Sequence, residues 1–197
     1  KVEPFSIDEA KEILRNEYKE EFENIFLEIF PSENAASIAQ VHKAKIQIDN
    51  IESYVAIKIL RPKVEKDIKK DLNNFFITAK FLEKFFSEAR RLRLTDVVKT
   101  LAESLSMEVD LRLEAAAQSE MRENTIGDKY FIIPNVYWDL TRKNILISDW
   151  VEATPAKDII ELNNKKINLK KVGKNILRAF LTTSIRDGLF HADMHQG

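Results

Sequence analysis

Residues 37–60 read SIAQVHKAKIQIDNIESYVAIKIL, and this stretch decides the fold. From Ser37 to Ile48 the chain is strand-like, with Ala44, Ile46 and Ile48 on one side, the period of two expected of a half-buried strand. Residues 49–53 supply a turn, and Tyr54 to Leu60 is a second strand. Two such runs with a short link between them predict an antiparallel hairpin.

Helical patterns flank the hairpin. Ser6-Ile7-Asp8-Glu9 is a capping box, in which the Ser hydroxyl accepts from the third helical amide and Glu9 reaches back. Ile7, Ala10, Ile13, Leu14, Tyr18, Phe22, Ile25, Phe26 and Ile29 follow at helical spacing, and Pro31 stops the run. After the hairpin, Pro62 suits a first helical position. Val64, Ile68, Leu72, Phe75, Phe76, Ala79, Leu82, Phe85 and Phe86 then form an apolar stripe that reads as core. Thr95 with Asp96 opens another helix, running to about Asn124, with Gly127 at the break. Tyr130 to Ile133 and Asn144 to Trp150 read as strands, with Pro134 and residues 139–143 between them. Pro155 to Leu162 is a short helix; Leu169 to Asp187 is a clear one, capped by Gly188. There is no internal repeat and no low-complexity tract. The order is α+β, with strands too few for a doubly wound sheet.

Composition bounds the function. The 197 residues suit one domain or one and a half. Lys and Arg number 31 against 32 Asp and Glu, a net charge of −1 that argues against wholesale nucleic-acid binding. No Cys is present, so disulfides, Cys-based metal sites and Cys nucleophiles are excluded. The four Gly sit at 127, 173, 188 and 197, and no standard Gly-rich phosphate loop can be built from them. No span approaches the roughly 18 apolar residues of a transmembrane helix. The acidic N-terminus is not a signal peptide. The chain begins at Lys1 rather than Met and stops in what reads as a loop, so a longer parent protein is expected. Charge is uneven: residues 1–34 hold ten acids and four bases, residues 58–93 eleven bases and five acids. These are either two solvated helix faces of opposite sign, or the second is a basic face for phosphate or acidic lipid headgroups.

Four segments could carry chemistry. Val55-Ala56-Ile57-Lys58 puts a lysine on a strand between apolar neighbours, which is costly unless its charge is met; the alternative is an edge-strand Lys pointing to water. Leu189-Phe190-His191-Ala192-Asp193 follows a helix, and H-x-D in a loop suits a catalytic Asp that orients a hydroxyl proton. A solvated loop, or a metal triad of His191, Asp193 and His195, are the alternatives there. Glu108, Asp110 and Glu114 are read on one helix, where about 100° per residue puts Asp110 and Glu114 on one face and Glu108 elsewhere. Glu114 is the candidate partner for Lys58, and Glu108 alternatively pairs with Arg112 one turn on. Asn34 to Ala44 begins with small residues about twenty positions ahead of the strand Lys. Small Ala and Ser side chains let backbone amides approach a phosphate without supplying the positive φ that Gly permits; a tight helix-to-strand connection is the alternative.

In this order and spacing, the four resemble the UbiB/ADCK family of atypical protein-kinase-like proteins. Ala35-Ala36-Ser37-Ile38-Ala39-Gln40-Val41-His42 is similar to that family's Ala-rich loop. Val55–Lys58 followed by Arg61-Pro62 is similar to its lysine strand, and Glu108-x-Asp110 with Glu114-Ala115 to its E-x-D plus E-A helix. His191-Ala192-Asp193-x-His195-x-Gly197 is similar to its H-A-D-x-H-x-G-N catalytic loop. The resemblance covers residues 34–197 and implies a protein-kinase-like fold. Residues 1–33 would be a helical N-terminal extension, 34–152 the small lobe with inserted helices, and 153–197 the start of the large lobe. It also implies ATP or ADP with Mg2+ as cofactors of the full-length parent. Lys58 would contact phosphates and pair with Glu114; Ala35, Ala36 and Ser37 would line the nucleotide; Asp193 would be the catalytic Asp, beside His191. Glu108 and Asp110 would meet the family's upstream K-x-G-Q segment.

There are departures. No K-x-G-Q occurs in residues 1–197, and the chain stops one residue before the expected metal-binding Asn. The later metal-binding Asp is absent too, so the expected metal ligands lie beyond residue 197. Met194 and Gln196 stand where the family often has Pro. The resemblance implies a parent that is an atypical kinase or ATPase supporting ubiquinone biosynthesis, with pathway proteins or lipid intermediates as partners. Membrane association would come through parts outside this chain, at the cytoplasmic face of the bacterial inner membrane or the mitochondrial inner membrane. The 197-residue chain alone is expected to bind nucleotide poorly and to be inactive. Two other classes stay open: an ordinary kinase or small-molecule phosphotransferase, and a non-catalytic helical module binding a partner or lipid.

Overall fold

The computed structural model describes residues 4–32 and 37–189. Its centre is a four-stranded antiparallel sheet in the order β1-β2-β3-β4, formed by Phe26–Ile29, Ala39–Ile48, Ile51–Leu60 and Ile145–Asp149. The hairpin is tighter than expected. Ile48 pairs with Ile51, so the turn is Asp49-Asn50 alone, with φ of 49° and 64°. Two consecutive positive φ values match the right-handed twist of the strands, and Asp and Asn tolerate them.

Strand alternation gives the sheet two different faces. Ala44, Ile46, Val55, Ile57, Ile59, Ile145 and Ile147 are wholly buried on one of them. That face is covered by Ala10, Leu14 and Tyr18 of α1 (Ile7–Tyr18) and by Phe22 and Phe26. Tyr18 donates its hydroxyl to the Leu140 carbonyl, and burial pushes the phenol pKa up. Ser6 caps α1 by accepting from the Glu9 amide at 3.1 Å.

The helix expected to reach Ile29 ends at Tyr18. Lys19 takes a positive φ of 51°, a short turn and α2 (Phe22–Ile25) follow, and Phe26 begins β1. The apolar spacing of Phe22, Phe26 and Ile29 fits a helix and an edge strand alike; pairing with Ala44 and Ile46 of β2 decided it.

Among the described residues, the opposite face is covered at one end, where Ala39, Leu60 and Leu146 meet Leu111 and Ala115 of α6 (Leu111–Asn124) and, through Val64 and Ile68, α3 (Val64–Phe85). α3, α4 (Ser87–Leu92) and α5 (Leu94–Glu108) pack mainly on one another. The stripe read as core is therefore only partly covered. Ala79 is buried, but Phe75, Phe85 and Phe86 are more than half exposed, because one neighbouring helix cannot cover a stripe that wide. Pro62 precedes α3 by two residues, in the turn that leads to Lys63 at φ 66°.

The long helix expected from Thr95 to Asn124 is two helices. The chain breaks at Val109-Asp110, where Val109 is buried and Asp110 caps α6 by accepting from the Arg112 amide at 3.1 Å. Tyr130 to Ile133 is not a strand. The chain meets the sheet edge later, through Val136 opposite Ser148 and a Tyr137 amide bond to the Ile147 carbonyl at 2.9 Å, after Pro134 has removed a donor. The short helix α7 spans Ile159–Asn164 rather than starting at Pro155, with Asp158 as its cap. α8 (Leu169–Thr182) widens into a π-type turn over Thr183–Asp187 and ends at Gly188, φ 67°. Among the described residues, no helix is long and apolar enough to cross a membrane.

Candidate functional site

Lys58 lies toward the C-terminal end of β3, between Ile57 and Ile59, which face the sealed core. Alternation turns its side chain to the open face. Its ammonium meets both carboxylate oxygens of Glu114 at 2.7 Å. The edge-strand alternative is thus overturned: β3 is an inner strand, and the lysine charge is met. Glu114 is delivered by the first turns of α6. Leu111 and Ala115, both buried, seat those turns on the sheet, and the Leu111 amide donates to the Lys143 carbonyl at 2.8 Å. Ala115 has only a methyl group, which lets α6 come close enough for a glutamate to span the gap.

The other acidic residues separate. Asp110 is not on the helix face of Glu114; it is the α6 cap and holds Arg112 at 2.6 Å. The Arg112 guanidinium bonded to it holds its carboxyl below the usual carboxylate range. Arg112 therefore pairs with Asp110, not with Glu108. Glu108 ends α5, exposed, with no ion pair among the described residues. The helical angle between Glu108 and Glu114 has no meaning across the break at Val109-Asp110. Ser37 is exposed at the bend ahead of β2. Ala35, Ala36, His191, Asp193 and His195 lie outside the described residues.

The open face carries more than the sequence pattern singled out. Val41 stands directly opposite Lys58 in the ladder, and Lys43 follows on the same face. Lys43 reaches Glu152 at 2.8 Å and lies over the rings of Tyr54 and Trp150, at 4.6 and 5.3 Å. Lys43 holds the Glu152 carboxyl below its ordinary pKa. Val41, Lys43, Trp150 and Glu152 line a cleft of about 1150 Å³ whose walls also include Leu162 and Val172. It runs from the sheet to the segment after β4 and to α7 and α8. The signal that could have found Val41 and Lys43 was the period of two itself. Gln40, His42, Ala44 and Ile46 claim the sealed side, so Val41 and Lys43 between them must face the opposite side, toward the cleft.

A second linkage ties the far end of α6 to the π-type turn. Arg186 donates to the Asn124 carbonyl at 2.7 Å and pairs with Asp128 at 3.2 Å and Asp187 at 2.5 Å. Among the described residues, no group of three or more His, Asp or Glu could hold a metal ion.

A strand lysine met by a helix glutamate, on the open face of a small antiparallel sheet, marks a kinase-like domain. The chain belongs to the ABC1 atypical kinase-like domain family, whose model matches residues 1–197. It is 34% identical over 198 residues to a protein named probable protein kinase UbiB from Marinobacter nauticus, covering 100% of this chain and 36% of that protein. Proteins of the same name from Histophilus somni (34% over 200 residues, 36% of its length) and Pseudomonas aeruginosa (33% over 198 residues, 37%) match equally completely. The chain thus spans little more than a third of the length of these curated relatives.

Proposed function

We propose that this chain is the nucleotide-binding part of a UbiB-like atypical kinase or ATPase. ATP or ADP would enter the cleft beside Val41 and Trp150, with its phosphates directed toward Lys58. The observation that carries this reading is the Lys58–Glu114 pair. An ammonium has three donors; among the described residues its partner is Glu114, met through both carboxylate oxygens, which leaves a donor for a phosphate oxygen. The cleft is larger than an ordinary small-molecule site of about 300–1,000 Å³, so a nucleotide has room.

In this reading Ala35, Ala36 and Ser37 offer backbone amides to the phosphates, and Asp193, next to His191, orients the attacking group. Glu108 and Asp110 receive an upstream segment of the longer protein, where Asp110 shares its carboxylate between that segment and Arg112. Residues 34–152 form the small lobe and 153–197 begin the large one. Residues 1–33 form the N-terminal extension, with a final strand that completes the sheet. Mg2+ belongs to the chemistry of the family, and the described residues offer no set of ligands for it. The ubiquinone pathway, its proteins or lipid intermediates as partners, and a place at an inner membrane complete the proposal for the whole protein.

Titration of the 197-residue chain with ATP and ADP, with and without magnesium, tests this. Weak binding with little magnesium dependence is expected. Lys58→Met should weaken it at least about tenfold, since a charge-assisted hydrogen bond is worth roughly 1.5–3 kcal/mol. Unchanged affinity in Lys58→Met would overturn the assignment, and strong magnesium-dependent binding would overturn the expected weakness of the isolated chain. A second reading, partner or lipid binding through α3, draws on the exposure of Ile77, Phe81 and Phe85 along that helix, which lies within the basic stretch 58–93. It predicts that function survives Lys58→Ala and is abolished by charge reversal at Lys66, Lys69 and Lys70.

A further inference from the structure

Two polar residues of the segment read as a nucleotide loop point away from the cleft. Gln40 and His42 are each only 1% exposed, on the sealed side of β2. Gln40 behaves like an extra peptide unit. Its Oε1 accepts from the Phe5 amide at 2.9 Å, and its Nε2 donates to the Phe5 carbonyl at 3.0 Å. His42 Nδ1 lies 2.9 Å from the Phe30 carbonyl, and His42 Nε2 lies 3.1 Å from Gln40 Nε2. A carbonyl can only accept, so Nδ1 carries the proton. Nε2 is then the bare acceptor of Gln40's second N–H. Every donor of this set has its acceptor, and the set joins three separate places: the entry to α1, the end of β1 and the start of β2.

We propose that Gln40 and His42 form a latch that closes only with a neutral imidazole, fastening the N-terminal segment and the end of β1 to β2 and thereby holding Val41 in the cleft wall beside Lys58. Val41 sits between the two latch residues, and a one-residue slip of β2 would exchange the buried and cleft-facing sets. Two buried polar groups with fixed partners forbid that slip more strictly than apolar residues could.

The proton dependence follows from donor and acceptor order. A second proton on His42 would set Nε2–H against the Gln40 NH2. Turning the amide over would relieve that contact, but it would bring Oε1 against the Phe5 carbonyl and NH2 against the Phe5 amide. Charging His42 therefore releases Phe5. Among the described residues the ring meets Phe5 and Gln40 on one side, the Phe30 carbonyl at the β1 end and Ile57 opposite it on β3. None of these partners is a carboxylate that could stabilise the cation. Burial accordingly holds the His42 pKa below its ordinary 6.5. The folded state then binds fewer protons than the unfolded one as pH falls below 6.5. Latch stability is complete above that value and is lost on the way down through the folded-state pKa.

Nuclear magnetic resonance of the 197-residue chain between pH 7.5 and 5.0 tests the latch. The His42 ring signal, identified by its loss in His42→Asn, should titrate below 6.5, and the Phe5 amide signal should shift with the same midpoint. His42→Asn retains a donor for Phe30 without a titrating group, so its Phe5 signal should stay still. A Phe5 amide that ignores the titration, or one that still titrates in His42→Asn, would overturn the latch. The link from latch to ligand rests on the function proposed above and has its own arm: ATP affinity at pH 5.5 against 7.5. A several-fold loss in the parent chain, absent in His42→Asn, supports both. A Phe5 response with ATP affinity unchanged would keep the latch and overturn its hold on Val41, whereas a Phe5 response in a chain that binds no ATP at either pH counts against the nucleotide reading alone.

Discussion

The two faces of the sheet are made from the same strands and serve opposite ends. The face toward α1 is closed: seven aliphatic side chains of β2, β3 and β4 are wholly buried there, and the two buried polar residues beside them, Gln40 and His42, are hydrogen-bonded. Among the described residues the other face is seated on α6 at one end and open over the rest, where it carries Val41, Lys43, Lys45 and Lys58. The difference shows how a small domain holds a charged site steady. Cohesion comes from the side that never meets a ligand. The exposed lysines are then free to be costly, each held by its own carboxylate: Glu152, Glu52 and Glu114.

The comparison can be broken from either side. The largest effect is expected on the closed face. Ile57→Ala should lose about 2–5 kcal/mol of stability in a urea titration, since the cavity it leaves cannot fill with water. Val41→Ala, one strand over but facing the cleft, should cost under about 1 kcal/mol by the same measurement. Equal losses would mean that the cleft face is cohesive after all. Next comes the seat of α6. Ala115→Leu should cost about 1–3 kcal/mol and also weaken ATP binding, because a larger side chain lifts Glu114 away from Lys58. Loss of stability with binding intact would separate α6 from the site.

Smaller effects sharpen the same contrast. Glu114→Gln should change stability by no more than about 1 kcal/mol, the usual range for a half-exposed pair, while ATP affinity falls markedly; calorimetry and ligand titration on one sample check both. On α3, Lys69 and Lys143 hold the Glu65 carboxyl down to about pKa 2. A depressed carboxyl stabilises the fold above its ordinary value of 4.5 and loses that contribution as pH falls toward 2. Glu65→Gln should therefore flatten acid unfolding slightly in that window and leave neutral pH almost untouched. The smallest effect belongs to the exposed arm: Phe81→Ser should alter the unfolding midpoint scarcely at all.

The hairpin, the helix caps at Ser6 and Gly188 and the pairing of Lys58 with Glu114 were legible in the chain because each rests on local chemistry. Alternation, a hydroxyl three residues before an amide and a glycine at positive φ depend on neighbours in sequence. A buried-strand lysine demands a carboxylate wherever the chain supplies one. Absence of a Gly-rich loop, together with Ala-Ala-Ser in its place, already narrowed the class to atypical kinase-like proteins. Other features needed three dimensions. Phe26 and Ile29 fit a helix or a strand equally, and only pairing with β2 chose. The break at Val109-Asp110 lies in a run that helical periodicity crosses without a mark; burial of Val109 against the sheet end and the Asp110 cap created it. The stripe of α3 promised a core, and partner geometry left much of it exposed. Gln40 and His42 read as part of a phosphate loop, yet the parity of β2 turned them into the opposite core. Periodicity records which residues share a face, and only the assembled neighbours decide what that face meets.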